Sequence, residues 1–282
     1  MSRQFGLGYI PDNINKPHFH TYASVRRLST SNVPDDVSMI EWACPVLDQG
    51  GIGSCGPHAA TAALWTALNA AGTPLPWIPS QADLYRLARC IGRGGPRPNG
   101  LWNPLADGGV MPAWLFAALN SFGCRPMKVP TVRDPEDPWA RKSDCSLAGL
   151  NDEPMFNDVR EDAVNMFGGQ YQIDGTPSVR GAGVRVSLAH KLPPIVCSFV
   201  DTKYMHWTPE QGPYNMPDYE DPDGGGHAQM IVAAKHDPKH GYLYLIQNSW
   251  GVTWCDAGRV WVTEAFLGQA DDLDATAFRR LT

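Results

Sequence analysis

Three residues, far apart in the chain, have the types needed for acyl transfer through a thiol. Cys55 follows Gly53-Ser54 and opens the segment CGPHAATAALWTALNAAG. A thiol at the start of a helix feels the positive end of the helix dipole and nearby unpaired N–H groups, and both favour the nucleophilic thiolate. His227 stands between Gly226 and Ala228, just before the apolar run AQMIVAA, and Asn248 ends YLYLIQN and begins NSWG. Taken singly, each has an ordinary reading as a buried capping cysteine, a packed histidine and a turn-forming asparagine. Taken together they supply a nucleophile, an acid/base and a group to orient the base.

Such a constellation needs elements to hold it. Ala60, Leu64, Leu68 and Ala71 recur at helical spacing, with Ser54 at the N-cap position, Pro57 in the first turn and Gly72 at the end. A second helix is predicted after Ser80 (QADLYRLARC) and a third through MPAWLFAALNSF, stopping at Gly123. Residues 125–177, rich in Pro, Asp, Arg and Gly, read as a long connection with a short helix near 158–167. The periodicity then changes. PIVCSFV, AQMIVAAKH, YLYLIQN and RVWVTEAF read as strands, and 201–226 as a long loop ending in three glycines. Turns are expected at Pro11-Asp12-Asn13 and Pro34-Asp35-Asp36. Helices first and strands second predict an α+β fold of two lobes.

Four blocks in this order resemble the papain, or cathepsin-like, family of cysteine peptidases: PVLDQGGIGSC, DGGVMPAW, GHAQMIV, and NSWG followed by Trp254 and GRVWV. The resemblance covers roughly residues 40–266. It implies the papain-like two-lobed fold, with the active site in the cleft between a helical and a β-rich lobe. It further implies peptide hydrolysis through a thioester on Cys55, with His227 as acid/base and Asn248 as its orienter. Gln49, six residues before Cys55, stands where the family places its oxyanion-hole side chain. Trp250 takes the place of the tryptophan that shields the His–Asn bond. Gly108 and Gly109 resemble the cleft glycines that pair with an extended substrate, and Val110, Met111 and Ala228 fall at the main specificity pocket, which is therefore expected to be apolar. The implied partner is a peptide or protein substrate, and no cofactor is needed.

The sequence also departs from the family pattern. Ile52 replaces the first cysteine of the usual Cys-Gly-Ser-Cys, and Gly56 replaces the aromatic that follows the nucleophile. Ile52 removes half of a disulfide common in the family and leaves Cys90 without its expected partner, which agrees with an intracellular or prokaryotic-type member. The stretch from Cys55 to His227 is longer than the roughly 130–150 residues usual in the family. Residues 1–40 are expected to form an N-terminal extension with apolar anchors at Phe5, Tyr9, Ile10 and Phe19, docking along the catalytic lobe or blocking the cleft. Residues 41–282 form the peptidase domain, with a helical lobe over 41–130, a connection over 131–177 and a β-rich lobe over 178–282.

Composition bounds what else the chain can be. Its 282 residues are 43% hydrophobic and 18% charged, ordinary for a globular protein. A net charge of −6 favours neither nucleic acid nor an anionic membrane as partner. The first residues lack the apolar core of a secretory signal, and no apolar run is long enough to span a bilayer, so a cytoplasmic or otherwise unexported protein is expected. The seven cysteines contain no CxxC pair, and the His236/His240 spacing lacks the partners of a metal site; both histidines read as turn residues flanking a hairpin. Two other functions fit less of the sequence. One is a different acyl-transfer enzyme on the same fold, an amidase or deconjugating peptidase. The other is a structural or assembly protein with an idle site, for which Gln49, Cys55, His227 and Asn248 would have no joint use.

Overall fold

The computed structural model describes residues 5–9, 33–92, 107–124 and 169–277. The expected turn at 11–13, the helix near 158–167, the anchors Ile10 and Phe19, and Cys145 lie outside them. Helices α1 (Cys55–Ala70), α2 (Gln81–Gly92) and α3 (Pro112–Phe122) come first. Strand β1 (Val37–Ser38) precedes them, and β2 (Gly169–Gln172), α4 (Pro177–Ala189), β3 (Pro194–Val200) and α5 (Thr202–Met205) follow. The chain then forms β4 (Gly225–Asp237), β5 (Gly241–Gln247), β6 (Arg259–Thr263), α6 (Glu264–Gly268) and β7 (Asp272–Ala277). The strands make one antiparallel sheet in the order β2-β7-β3-β4-β5-β6, with β1 added to β4. No helix among the described residues is long and apolar enough to cross a membrane.

The central strand β4 has two faces and two cores. Ala228, Met230 and Val232 pack against α1, α2 and α3 with Leu64, Leu68, Leu84 and Leu115. Ile231 and Ala234 pack on the other side with Val184, Tyr204, Trp250 and Phe266. The register against β5 shifts between Ile231 and Ala233, which lets Val232 and Ala233 both join the helical side. Helix α1 is buried along its length apart from Trp65 and Asn69, because it is wedged between the other helices and the sheet. The single apolar stripe expected from its sequence understates that burial.

The predicted helices and hairpin strands recur within a few residues of their expected limits. Gly123 ends α3 at φ 67, a backbone region in which glycine carries no Cβ penalty. Several elements differ from the sequence reading, β2 and β7 among them, neither of which it predicts. RVWVTEAF is not one strand: β6 stops at Thr263, where α6 begins. Helix α4 was not anticipated, because PSVRGAGVRVSLA mixes glycine and β-branched residues of poor helix propensity. Its start does carry a signal, with Thr176 at the N-cap and Pro177 in the first turn. The segment 201–226 holds α5 and a 3₁₀ turn, Pro209–Gln211, rather than loop alone.

Candidate active site

The first turn of α1 carries Cys55, and the loop before it carries Gln49; both side chains are fully buried. Ser54 stands at the N-cap but makes no side-chain capping bond, and its hydroxyl is unpartnered. Its carbonyl accepts from the His58 ring Nδ1 at 2.8 Å and from the His58 backbone N–H at 3.1 Å.

The β-rich lobe brings the other groups. His227 sits near the head of β4, opposite Ser198 of β3. Asn248 follows β5, pinned by its N–H to the Gly258 carbonyl at 3.0 Å. The Asn248 Oδ1 atom accepts from the Ser249 N–H at 2.7 Å, so it is the oxygen of the amide. It also meets His227 Nε2 at 2.8 Å. Nε2 must therefore carry a proton, and on a neutral ring this leaves the lone pair on Nδ1, which has no hydrogen-bond partner. Trp250 stacks on the imidazole with centroids 4.4 Å apart and an interplanar angle of 20°. Trp254 in turn meets Trp250 edge-on.

Main-chain bonds join the two lobes at this point. Gln49 N–H donates to the Ser249 carbonyl at 2.9 Å, and Gly251 N–H to the Leu47 carbonyl at 2.9 Å. The Gln49 side-chain oxygen pairs with the Ser249 hydroxyl, which turns its amide nitrogen into the cleft. That nitrogen donates to the Ile52 carbonyl at 2.7 Å and to the Gly6 carbonyl at 2.9 Å.

Residues 5–9 thus lie in the cleft itself. Phe5 packs on Trp250 with ring centroids 4.7 Å apart. Gly6 N–H donates to Gly50, Gly8 and Tyr9 N–H donate to the Gly226 carbonyl at 3.2 and 3.1 Å, and Val110 N–H donates to the Gly8 carbonyl at 2.8 Å. Tyr9 lines an apolar cavity together with Gly56, Val110, Leu115, Phe116, Cys197 and Ala228. Met111, buried at the N-cap of α3, is not one of its walls. The glycines of FGLGY leave no space for side chains: a Cβ on Gly6 would come within 2.0 Å of the Ile52 carbonyl oxygen, and one on Gly8 within 1.9 Å of that of Gly53. Alternation of glycine with Phe5, Leu7 and Tyr9 is the signal that could have marked this segment as an extended strip pressed onto backbone. Sequence reasoning also passed over Ser249, and over Tyr85, Arg89 and Asp107. Tyr85 and Arg89 hold Gly109, whose N–H donates to the Tyr85 hydroxyl at 3.1 Å and whose carbonyl accepts from Arg89 at 2.7 Å.

Burial governs the electrostatics. It pushes the Cys55 thiol up to about 11, against the opposing pull of N–H groups from Ala228, Gly8, Gly56 and its own residue. It pushes His227 down to about 4, with the Asn248 bond working the other way and His58 adding to the fall. His58 is likewise lowered to about 4 by burial. The covered pair is therefore neutral thiol and neutral imidazole.

No family model and no curated protein sequence matches the chain. Solved structures do. Xylellain, a cysteine protease from Xylella fastidiosa, aligns over 100% of this chain and 99% of its own at TM-score 0.69 and 22% identity. Digestive procathepsin L 3 of Tenebrio molitor larval midgut aligns over 96% of this chain and 75% of its own at TM-score 0.65 and 16% identity. Bromelain from Ananas comosus aligns over 86% of this chain and 99% of its own at TM-score 0.56 and 16% identity. The fold is accordingly papain-like α+β, with a helical lobe, a β-rich lobe and a cleft between them.

The two depressed imidazoles give a pH dependence of stability. Both are neutral in the fold down to about pH 4, whereas the unfolded chain takes up their protons near pH 6.5. Their contribution is present above pH 6.5 and is lost as pH falls towards 4. The melting temperature should drop across that window, and the drop should be smaller in His58→Leu. Melting curves of both proteins through the window check this.

Proposed function

We propose that this chain is a papain-like cysteine-type peptidase that acts on peptide or protein substrates and is held shut by its own N-terminal segment. The observation that carries the reading is the protonated His227 Nε2 bonded to Asn248 under Trp250, in the same cleft as Cys55 and the Gln49 amide. With the segment away, the Cys55 proton passes to His227 Nδ1 and the thiolate attacks the scissile carbonyl carbon. The carbonyl oxygen becomes an oxyanion that accepts from Gln49 Nε2 and the Cys55 N–H; such donors are each worth a few kcal/mol because they act where charge develops. His227 then protonates the leaving amine nitrogen as the carbon–nitrogen bond breaks. Water attacks the thioester, His227 takes its proton, and the thiol is restored as the acid product leaves. Asn248 keeps the ring in position and tautomer throughout.

The bound segment supports both the site and its blockade. The Gly6 carbonyl occupies the Gln49 donor, and the Gly8 carbonyl occupies the Val110 N–H. The acyl part of a substrate lies along the 108–110 strap, and its leaving amine lies by His227. Residues 5–9 run the other way, from Trp250 to Val110. Their peptide bonds therefore face the thiol in the wrong sense for cleavage.

Labelling with an epoxysuccinyl peptide followed by mapping should find Cys55 modified first. Cys55→Ala should abolish peptide hydrolysis, while Asn248→Ala should lower kcat by about one to two orders of magnitude. Undiminished turnover by purified Cys55→Ala would end the reading.

A Gly8→Val chain cannot seat its segment against Gly53. Its Cys55 should be labelled at least about tenfold faster than wild type, since overpacking of this size costs about 1–3 kcal/mol. Equal rates in timed labelling would show that the segment does not guard the thiol.

The cavity that Tyr9 lines beside Val110 and Ala228 carries no charged wall. Burial of an apolar side chain there gains about 1.5–3 kcal/mol, whereas an unpaired charge costs several. A fluorogenic peptide library should show Leu, Val or Phe preferred over Arg, Lys, Asp or Glu two residues before the scissile bond.

A further inference from the structure

Gly8 passes through a narrow gap between two stretches of backbone. A Cβ on Gly8 would meet three backbone atoms of Gly53, the farthest at 2.4 Å, and a Cβ on Gly109 would meet three backbone atoms of Gly8, the farthest at 2.9 Å. Gly53 belongs to the loop that delivers Cys55, and Gly109 belongs to the strap before α3. The width of the gap is the distance between loop and strap, and one set of side chains spans them. The Asp107 carboxylate accepts from the Gly53 N–H at 3.1 and 3.0 Å through its two oxygens. One of those oxygens also accepts from the Tyr85 hydroxyl at 2.6 Å. The same hydroxyl accepts from the Gly109 N–H, and Arg89 donates to the Gly109 carbonyl at 2.7 Å. Both polar groups of Gly109 are thereby engaged by α2. The strap N–H that meets the chain in the cleft is that of Val110.

We propose that Tyr85, Arg89 and Asp107 are positioning residues, a polar clamp that sets the gap between the nucleophile loop and the strap for whatever extended chain occupies it. Tyr85 and Arg89 stand four apart on α2 and so share one face. Tyr85 is 2% exposed, which fixes the height of its hydroxyl. Burial and the adjoining carboxylate push that hydroxyl well above its usual range, so it stays protonated and donates. The clamp acts on the 5–9 segment directly. Its action on a substrate rests on the peptidase reading.

The test uses the full chain as wild type, Tyr85→Phe, Asp107→Ala and Asp107→Asn. Hydrogen exchange reads the clamp without any turnover. The Gly53, Gly8 and Val110 amides should exchange about tenfold faster in Tyr85→Phe and Asp107→Ala, while amides of β4 and β5 keep their wild-type protection. Asp107→Asn retains a carbonyl acceptor and should lie closer to wild type. A second readout compares alkylation of Cys55 by iodoacetamide with labelling by an epoxysuccinyl peptide. The peptide reagent needs the strap and the small one does not, so the ratio of their rates should fall about tenfold in Tyr85→Phe. Should Asp107→Ala not fold, Tyr85→Phe carries the test, since it removes one oxygen from a ring that stays packed. Unchanged exchange at Gly53 and Val110 would overturn the clamp. Changed exchange with Cys55 inert to both reagents in every variant, and inert also in Gly8→Val where the segment cannot seat, would uphold the clamp and overturn the peptidase reading instead.

Discussion

A single proton position, on Nε2 of His227, organises the cleft. It is set by an asparagine oxygen that already accepts a backbone N–H and so has no freedom to present its nitrogen instead. The lone pair is thereby assigned to Nδ1, the only other ring atom able to exchange a proton. Trp250 stacks on the imidazole that makes the bond, and it is itself packed against Trp254 and Tyr204. Much of the aromatic core of the β-rich lobe can be understood as the support of one hydrogen bond.

The second constraint is that neither lobe holds the candidate site alone. The Cys55 thiol and the Gln49 amide come from the helical side, and the His227 imidazole and Asn248 from the sheet. They meet because backbone bonds at Leu47, Gln49, Ser249 and Gly251 fasten the lobes beside the cleft. The Gln49 amide is aimed by a serine of the other lobe, so a donor on one side is oriented by a group on the other. The sheet contributes rigidity close by, because β4 pairs with β3 across His227 and is joined by β5 on its other flank from Met230 onward.

The helices α1 to α3 and the strands from β3 to β6 were legible because each carries its own local signature, a helical apolar stripe or a short β-rich run between turns. The helix α4 and the strands β2 and β7 were not. Their identity comes from tertiary pairing: β7 is a strand because β2 and β3 lie on either side of it, and Asp272–Ala277 has little strand character of its own. The candidate site was legible at Gln49, Cys55, His227, Asn248 and Trp250, where residue type and spacing coincide in three of the four ordered blocks. Ser249, Tyr85 and Asp107 escaped notice because their roles depend on which distant backbone group they face. The cavity beside Val110 follows the same rule. Val110 and Ala228 wall it, whereas Met111, adjacent in the chain and also buried, does not.

The strip FGLGY is part of the same molecule as the cleft it fills, and this changes the arithmetic of occupancy. A tethered ligand is present at an effective concentration on the order of millimolar, whatever the dilution of the protein. An intrinsic affinity of only about 10 μM would then leave roughly one molecule in a hundred open at any moment. Such a weak hold is compatible with a segment of five residues, two of them glycine, and it makes the closed fraction independent of how much protein is present. A competing chain must therefore contend with a fixed local excess. Severing the tether would remove that excess at a stroke and leave every contact in the cleft unchanged.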